Sequence, residues 1–131
     1  MDNIKAEQNS LDTVENIYEI TILLDFYGQL LTDRQFDMMD LHYNSDLSLG
    51  EIADIFNISR QGVHDGINKA KKALLGFEEK LGIVQFFREQ KKNIENALEK
   101  IEHLGNTSPK LKEDPDYKQA MYLLSDVLDK Y

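Results

Sequence analysis

Residues 60–72 of this 131-residue chain, RQGVHDGINKAKK, bring together side chains suited to reading a nucleic acid. Gln61 and Asn68 carry amides that can pair with an adenine edge through one donor and one acceptor. Arg60, His64, Lys69, Lys71 and Lys72 carry the groups that phosphates recruit. On a helix, Gln61, Asp65, Asn68 and Lys72 share the face opposite Val63, Ile67 and Leu74, with Arg60 and His64 on one flank and Lys69 on the other. Asp65 works against this reading. Near the centre of a groove-facing surface, only a cytosine amino group would welcome its carboxylate. The same pattern also fits a solvated helix face on a retained scaffold, so both readings stand at this point.

Other chemistries find less support. The chain has no glycine-rich phosphate loop, no nucleophile elbow and no histidine spaced against a nucleophile, so it is not expected to be an enzyme. It has no cysteine, which excludes disulfides and thiolate metal sites, and His42, His64 and His103 lack metal-ligand spacing. No metal and no cofactor are expected. Hydrophobic content of 41% and charged content of 30% describe a soluble globular protein of ordinary domain size. No apolar run approaches the ~18 residues of a membrane span, and MDNIKAEQNS is unlike a signal peptide. A cytoplasmic location is therefore expected.

Charge is unevenly spread. The net charge is −9, unusual for a DNA-binding protein. Residues 1–47 hold ten acids and two bases, residues 48–75 three acids and four bases, and the rest is nearly balanced at −2. The least acidic stretch thus contains the candidate reading face. Asp12, Glu15, Glu19, Asp33, Asp37 and Asp40 lie mostly off the apolar stripes, which suits either a solvated face or a docking surface for a basic partner.

The elements that must position Arg60–Lys72 follow from local pattern. Ser48–Leu75 has the order of a helix-turn-helix: Ile52, Ala53 and Phe56 on one face, Asn57 for a left-handed exit, Ile58 in the corner, and Ser59 as N-cap of a second helix. Val63, Ile67, Ala70 and Leu74 form that helix's inward face. Ala53 marks a close crossing. The apolar series continues through Phe77 and Leu81 to a stop at Gly82. Gly62 and Gly66 form a strip of small residues with Ser59 and Ala73, suited to close approach of the N-terminal helix or of a nucleic acid backbone.

Around this core, helices alone are predicted, with no sustained period-two alternation. Residues 1–10 are expected to be flexible. A helix from about Asp12 to Leu31 presents Ile17, Ile20, Leu24, Tyr27 and Leu31, widened by Leu23, Phe26 and Leu30. Thr32 and Gln35 form a capping box opening a helix with Phe36, Met39 and Tyr43 inward. Past Gly82, Phe87, Ile94, Ala97, Ile101 and Leu104 mark a further helix. Gly105–Pro109 reads as a linker. Asp114-Pro115 starts a last helix lined by Tyr117, Ala120, Met121, Leu124, Val127, Leu128 and Tyr131. The expected fold is all-α: a helix-turn-helix domain over residues 11–82, then C-terminal helices over 83–131 that add an association surface, giving a homodimer.

The stretch from Leu31-Thr32 to Leu75 resembles region 4 of bacterial sigma factors, through LTDRQ, LHY, EIA, ISR and KAKKAL. More closely, DFYGQLLTDRQ, SLGEIADIFNISRQGVHD and EEKLG at Glu78–Gly82 resemble the YlxM family of small bacterial helix-turn-helix proteins, over residues 17–104. The resemblance implies a regulatory protein taking part in the signal recognition particle pathway, with DNA or the signal recognition particle protein as partner. A protein-interaction module whose scaffold no longer binds DNA is the alternative.

Overall fold

The structure, a computed structural model, describes residues 14–131. The described residues form helices and no strand. They comprise α1 (Val14–Tyr27), a 3₁₀ turn (Gly28–Leu30), α2 (Asp33–Tyr43), α3 (Leu49–Phe56), α4 (Arg60–Leu81), α5 (Ile83–Thr107), the short α6 (Pro109–Lys112) and α7 (Pro115–Asp129). The expectations for residues 1–10, for a helix start at Asp12 and for Asp12 and Glu15 on an acidic face concern side chains outside the described ones. The chain divides into two compact units, the first ending at Val84 and the second running from Gln85 to Tyr131.

Local chemistry sets the boundaries in the first unit. Thr32 and Gln35 form a reciprocal capping box at the start of α2, and Ser48 and Glu51 form another at α3. Asn57 ends α3 in the left-handed region at φ 55°, which its short polar side chain tolerates. The Ser59 hydroxyl then accepts the Gly62 N–H at 3.0 Å, opening α4. Gly82 closes α4 at φ 62°. Between α2 and α3, His42 Nδ1 lies 2.9 Å from the Leu47 carbonyl, and Asp46 takes φ 56°.

The core gathers Ile20, Leu23, Leu24, Tyr27 and Leu31 with Met38, Met39, Ile52, Ala53, Val63, Ile67, Ala70, Leu74 and Val84. The inward face foreseen for α4 is buried at all four positions. Elsewhere the stripe is narrower than the apolar sequence suggests. Ile17, Phe26, Leu30 and Leu81 are exposed, because α1, the 3₁₀ turn after it and the end of α4 each bury one side only. α1 also stops four residues short of Leu31, where the Leu31 N–H turns back to the Gly28 carbonyl. In α2 Met38 joins Met39 in the core, while Phe36 stays 36% exposed and Tyr43 half-buried. On the small-residue strip of α4, a Cβ at Gly66 would stand 2.9 Å from Met38 Sδ on α2, while one at Gly62 would meet Ser59 and Ile58 of the preceding corner.

The junction after α4 joins two side chains that no local pattern pairs. Tyr27 is buried, and its hydroxyl donates to Glu78 Oε1. The Ile83 N–H donates to Tyr27 Oη at 3.1 Å and the Val84 N–H to Glu78 Oε1 at 3.0 Å. These are the first two amide donors of α5, which no preceding helical carbonyl can satisfy. Phe77 packs on Tyr27 with ring centroids 6.1 Å apart.

The second unit is a helical hairpin. Phe87 near the start of α5 meets Tyr131, ring centroids 5.8 Å apart, and Gly105 near its end lies directly against the Tyr117 hydroxyl group. The Gly105–Pro109 stretch is not a linker. α5 continues to Thr107, Gly105 is buried, and the break comes at Ser108, before the α6 proline. Absence of a side chain at Gly105 makes room for Tyr117, which explains a glycine inside a helix. The α5 inward positions are Gln90, Ile94, Leu98, Ile101 and Gly105, whereas Ala97 and Leu104 are exposed. Asp114 caps α7 by accepting the Asp116 N–H at 2.8 Å, ahead of Pro115. Tyr117, Ala120, Met121, Leu124 and Leu128 are half-buried, but Val127 and Tyr131 are exposed.

Candidate nucleic-acid interface

The α3–α4 pair is held as a rigid corner. Ile52 and Ala53 on α3 and Val63 and Ile67 on α4 are buried, and Ile58 packs into the angle. This fixes the outer face of α4 relative to the N-terminus of α3. Arg60, Gln61, His64, Asp65, Lys69 and Lys72 are exposed on α4, while Asn68 and Lys71 are half-buried.

Arg60 lies across the first turn of α3. A Cβ at Gly50 would sit 3.0 Å from its Nε and 3.1 Å from its Nη2. A glycine at position 50 therefore lets the guanidinium lie close against the first turn of α3. Sequence reasoning missed Gly50. Its signal was a glycine at the second position of a capped helix, which costs ~1 kcal/mol against alanine.

The reading face is internally bonded. Gln61 Nε2 donates to Asp65 Oδ1 at 2.9 Å. Asn68 Nδ2 lies 3.4 Å from His64 Nδ1, and His64 Nδ1 lies 3.7 Å from Asp65 Oδ1. An ionised carboxylate only accepts, so Gln61 must spend an amide hydrogen on Asp65 and turn its carbonyl outward. The second amide hydrogen and the carbonyl of Gln61 remain for an outside partner, but the bond to Asp65 fixes how the amide is turned. Beside it the Asp65 carboxylate presents acceptors, which suit amino groups.

The basic residues separate. Lys71 is drawn off the face, its Nζ 5.5 Å from the Tyr43 ring centroid on α2. Lys69 and Lys72 remain exposed on the outer surface with Arg60. On α2, Arg34 stacks over Phe56, 5.5 Å from its ring centroid. Among the described residues no group of three His, Asp or Glu side chains could hold a metal ion, and no helix is long and apolar enough to cross a membrane.

A capped eight-residue entry helix, a left-handed corner and a longer helix with an exposed polar face define a helix-turn-helix protein. A family model described as "Putative helix-turn-helix protein, YlxM / p13 like" matches residues 14–114. The chain belongs to this family, UPF0122. It is 41% identical over 116 residues to a UPF0122 protein of Acetivibrio thermocellus, covering 88% of this chain and 99% of the relative. A UPF0122 protein of Caldanaerobacter subterraneus subsp. tengcongensis is 49% identical over 82 residues, 63% of this chain and 70% of the relative. A third, from Clostridium perfringens, is 38% identical over 105 residues, 80% and 94% of the two chains.

Proposed function

We propose that this protein is a cytoplasmic regulatory helix-turn-helix protein that binds duplex DNA through the outer face of α4, as a homodimer. The observation that carries the reading is the intact corner: Asn57 at φ 55°, Ser59 capping α4, and Arg60 laid against Gly50. It places three cations, Arg60, Lys69 and Lys72, around a polar face. Gln61 and Asn68 supply base contacts and His64 a flanking donor. Lys71 contributes charge from its place over Tyr43. The place in the signal recognition particle pathway implied by the family resemblance belongs to this reading, with the signal recognition particle protein as a further partner.

Two observations favour a second reading, a protein-interaction module on the same scaffold. The chain carries a net charge of −9, and the exposed Asp65 carboxylate sits on the outer face of α4, bonded to Gln61. Such a surface suits a basic protein better than a polyanion.

Fluorescence anisotropy against duplex DNA separates the two. Three phosphate contacts imply a salt slope of about −2.7 per protomer, or about 40-fold weaker binding between 50 and 200 mM salt. Asp65→Asn is expected to strengthen nonspecific binding and Lys72→Ala to weaken it. If the wild type and Asp65→Asn are equally inert toward DNA, while Asp33→Lys with Asp37→Lys loses a protein partner, the DNA reading fails and the interaction module stands.

A further inference from the structure

The second unit, taken alone, leaves an apolar side uncovered. Among its described residues only Gly105 is buried, and Gly105 has no side chain. The exposed apolar residues do not scatter. On α5, Phe86 and Leu104 are 18 residues apart, five full turns, so they share one line, with Ala97 beside it. On α7, Leu123 and Val127 are one turn apart, next to Ala120. The hairpin is antiparallel, as the Phe87–Tyr131 and Gly105–Tyr117 contacts fix at its two ends. With both half-buried stripes facing each other, the Phe86–Leu104 line and the Leu123–Val127 pair emerge on the same side. Tyr122 and Lys118 emerge on the other.

We infer that this side of the α5–α7 hairpin is the surface on which a second copy of the chain docks. The inference rests on the self-association in the reading above and assigns it a place. Phe86 is 56% exposed, Leu104 52%, Leu123 52% and Val127 39%. With the open parts of Phe87 and Tyr131 they offer on the order of 500 Å² of apolar surface. A standard interface buries ~800 Å² per partner, a little over half of it apolar, so the patch is the right size for a stable dimer. Charge points to the same occupant. Residues 85–131 hold nine acids and eight bases, a net of −1, against −8 for residues 1–84. A unit this close to neutral can be placed against a copy of itself about a two-fold axis without net repulsion, and it has no net charge excess to recruit a strongly basic or acidic partner.

Sedimentation of the full chain at tens of micromolar tests this. The wild type is expected to be a dimer. Leu123→Glu with Val127→Glu is expected to raise the dimer Kd at least about tenfold, since both side chains would bring charge into the buried centre of the contact. Leu104→Glu, on the other helix, should do the same without touching α7. Tyr122→Glu, on the opposite side, should leave the dimer intact. Circular dichroism confirms that each variant keeps its helix content. A wild-type dimer unaffected by Leu104→Glu and by the double variant overturns this surface and leaves self-association standing. A wild-type monomer overturns both.

Discussion

Tyr27 shows how much a single hydroxyl can hold when it is buried. It donates to Glu78, accepts from the Ile83 amide, and lies under Phe77, so three segments depend on one oxygen. Its pKa is raised above the ordinary tyrosine value, first because burial penalises the phenolate and second because the hydrogen bond to Glu78 favours the protonated form. A group whose folded pKa is raised contributes stability that is complete below its unfolded pKa and is lost as pH climbs through the folded one. The window is therefore alkaline, opening at about pH 10. Tyr27→Phe should cost about 1–3 kcal/mol at neutral pH, because it strips one partner from a buried group. It should also remove part of the alkaline loss of stability. Urea melts of both proteins at neutral pH and above pH ~10 decide this; equal stability at neutral pH would show that the phenol holds nothing.

At the scale of elements, the corner between α3 and α4 makes the sharpest demands. Ala53 is buried where the two helices cross, so Ala53→Leu should overpack the contact and cost ~1–3 kcal/mol in a thermal or chemical melt. Asn57 at φ 55° makes a paired prediction: Asn57→Gly should be nearly neutral, while Asn57→Val should cost about 1–2 kcal/mol, since a branched side chain clashes in the left-handed region. If both variants melt with the wild type, the corner is not constrained as described. These features were legible in the sequence because each is local. The Thr32–Gln35 capping box, the Ser59 cap, a left-handed Asn, a terminal Gly and the 3.6-residue stripe of Val63, Ile67, Ala70 and Leu74 all act within a turn or two. The exposure of Phe26, Leu30 and Leu81 was not legible, because periodicity reports an apolar side chain and not whether anything covers it. The Gln61–Asp65 bond was available at i, i+4 spacing. Lys71 over Tyr43 and Tyr27 on Glu78 were not, since only the packed fold brings those pairs together.

Over the whole molecule, the two units differ in how they are stabilised. The first buries Tyr27, Met39, Ile52, Val63 and Leu74 almost completely, giving residues 14–84 a core of their own. The second buries no side chain fully, and a hairpin of this size rarely stands without further cover. Amide exchange should expose the difference. Amides in α4 around Val63–Leu74 should exchange only through opening of the whole first unit, whereas those of α5 beyond Gln85 and of α7 should exchange by cheaper local opening. If the apolar side of the hairpin is covered by a second copy, mass action ties that local stability to protein concentration. Tenfold dilution across the dimer Kd should then speed exchange in α5 and α7 and leave α4 unchanged. Hydrogen–deuterium exchange read by mass spectrometry at two concentrations makes the comparison within a single chain, with the first unit as internal reference. Uniform protection that ignores concentration would mean that the hairpin is stabilised within one chain, and the exposed Leu123–Val127 side would lose its reason to be apolar.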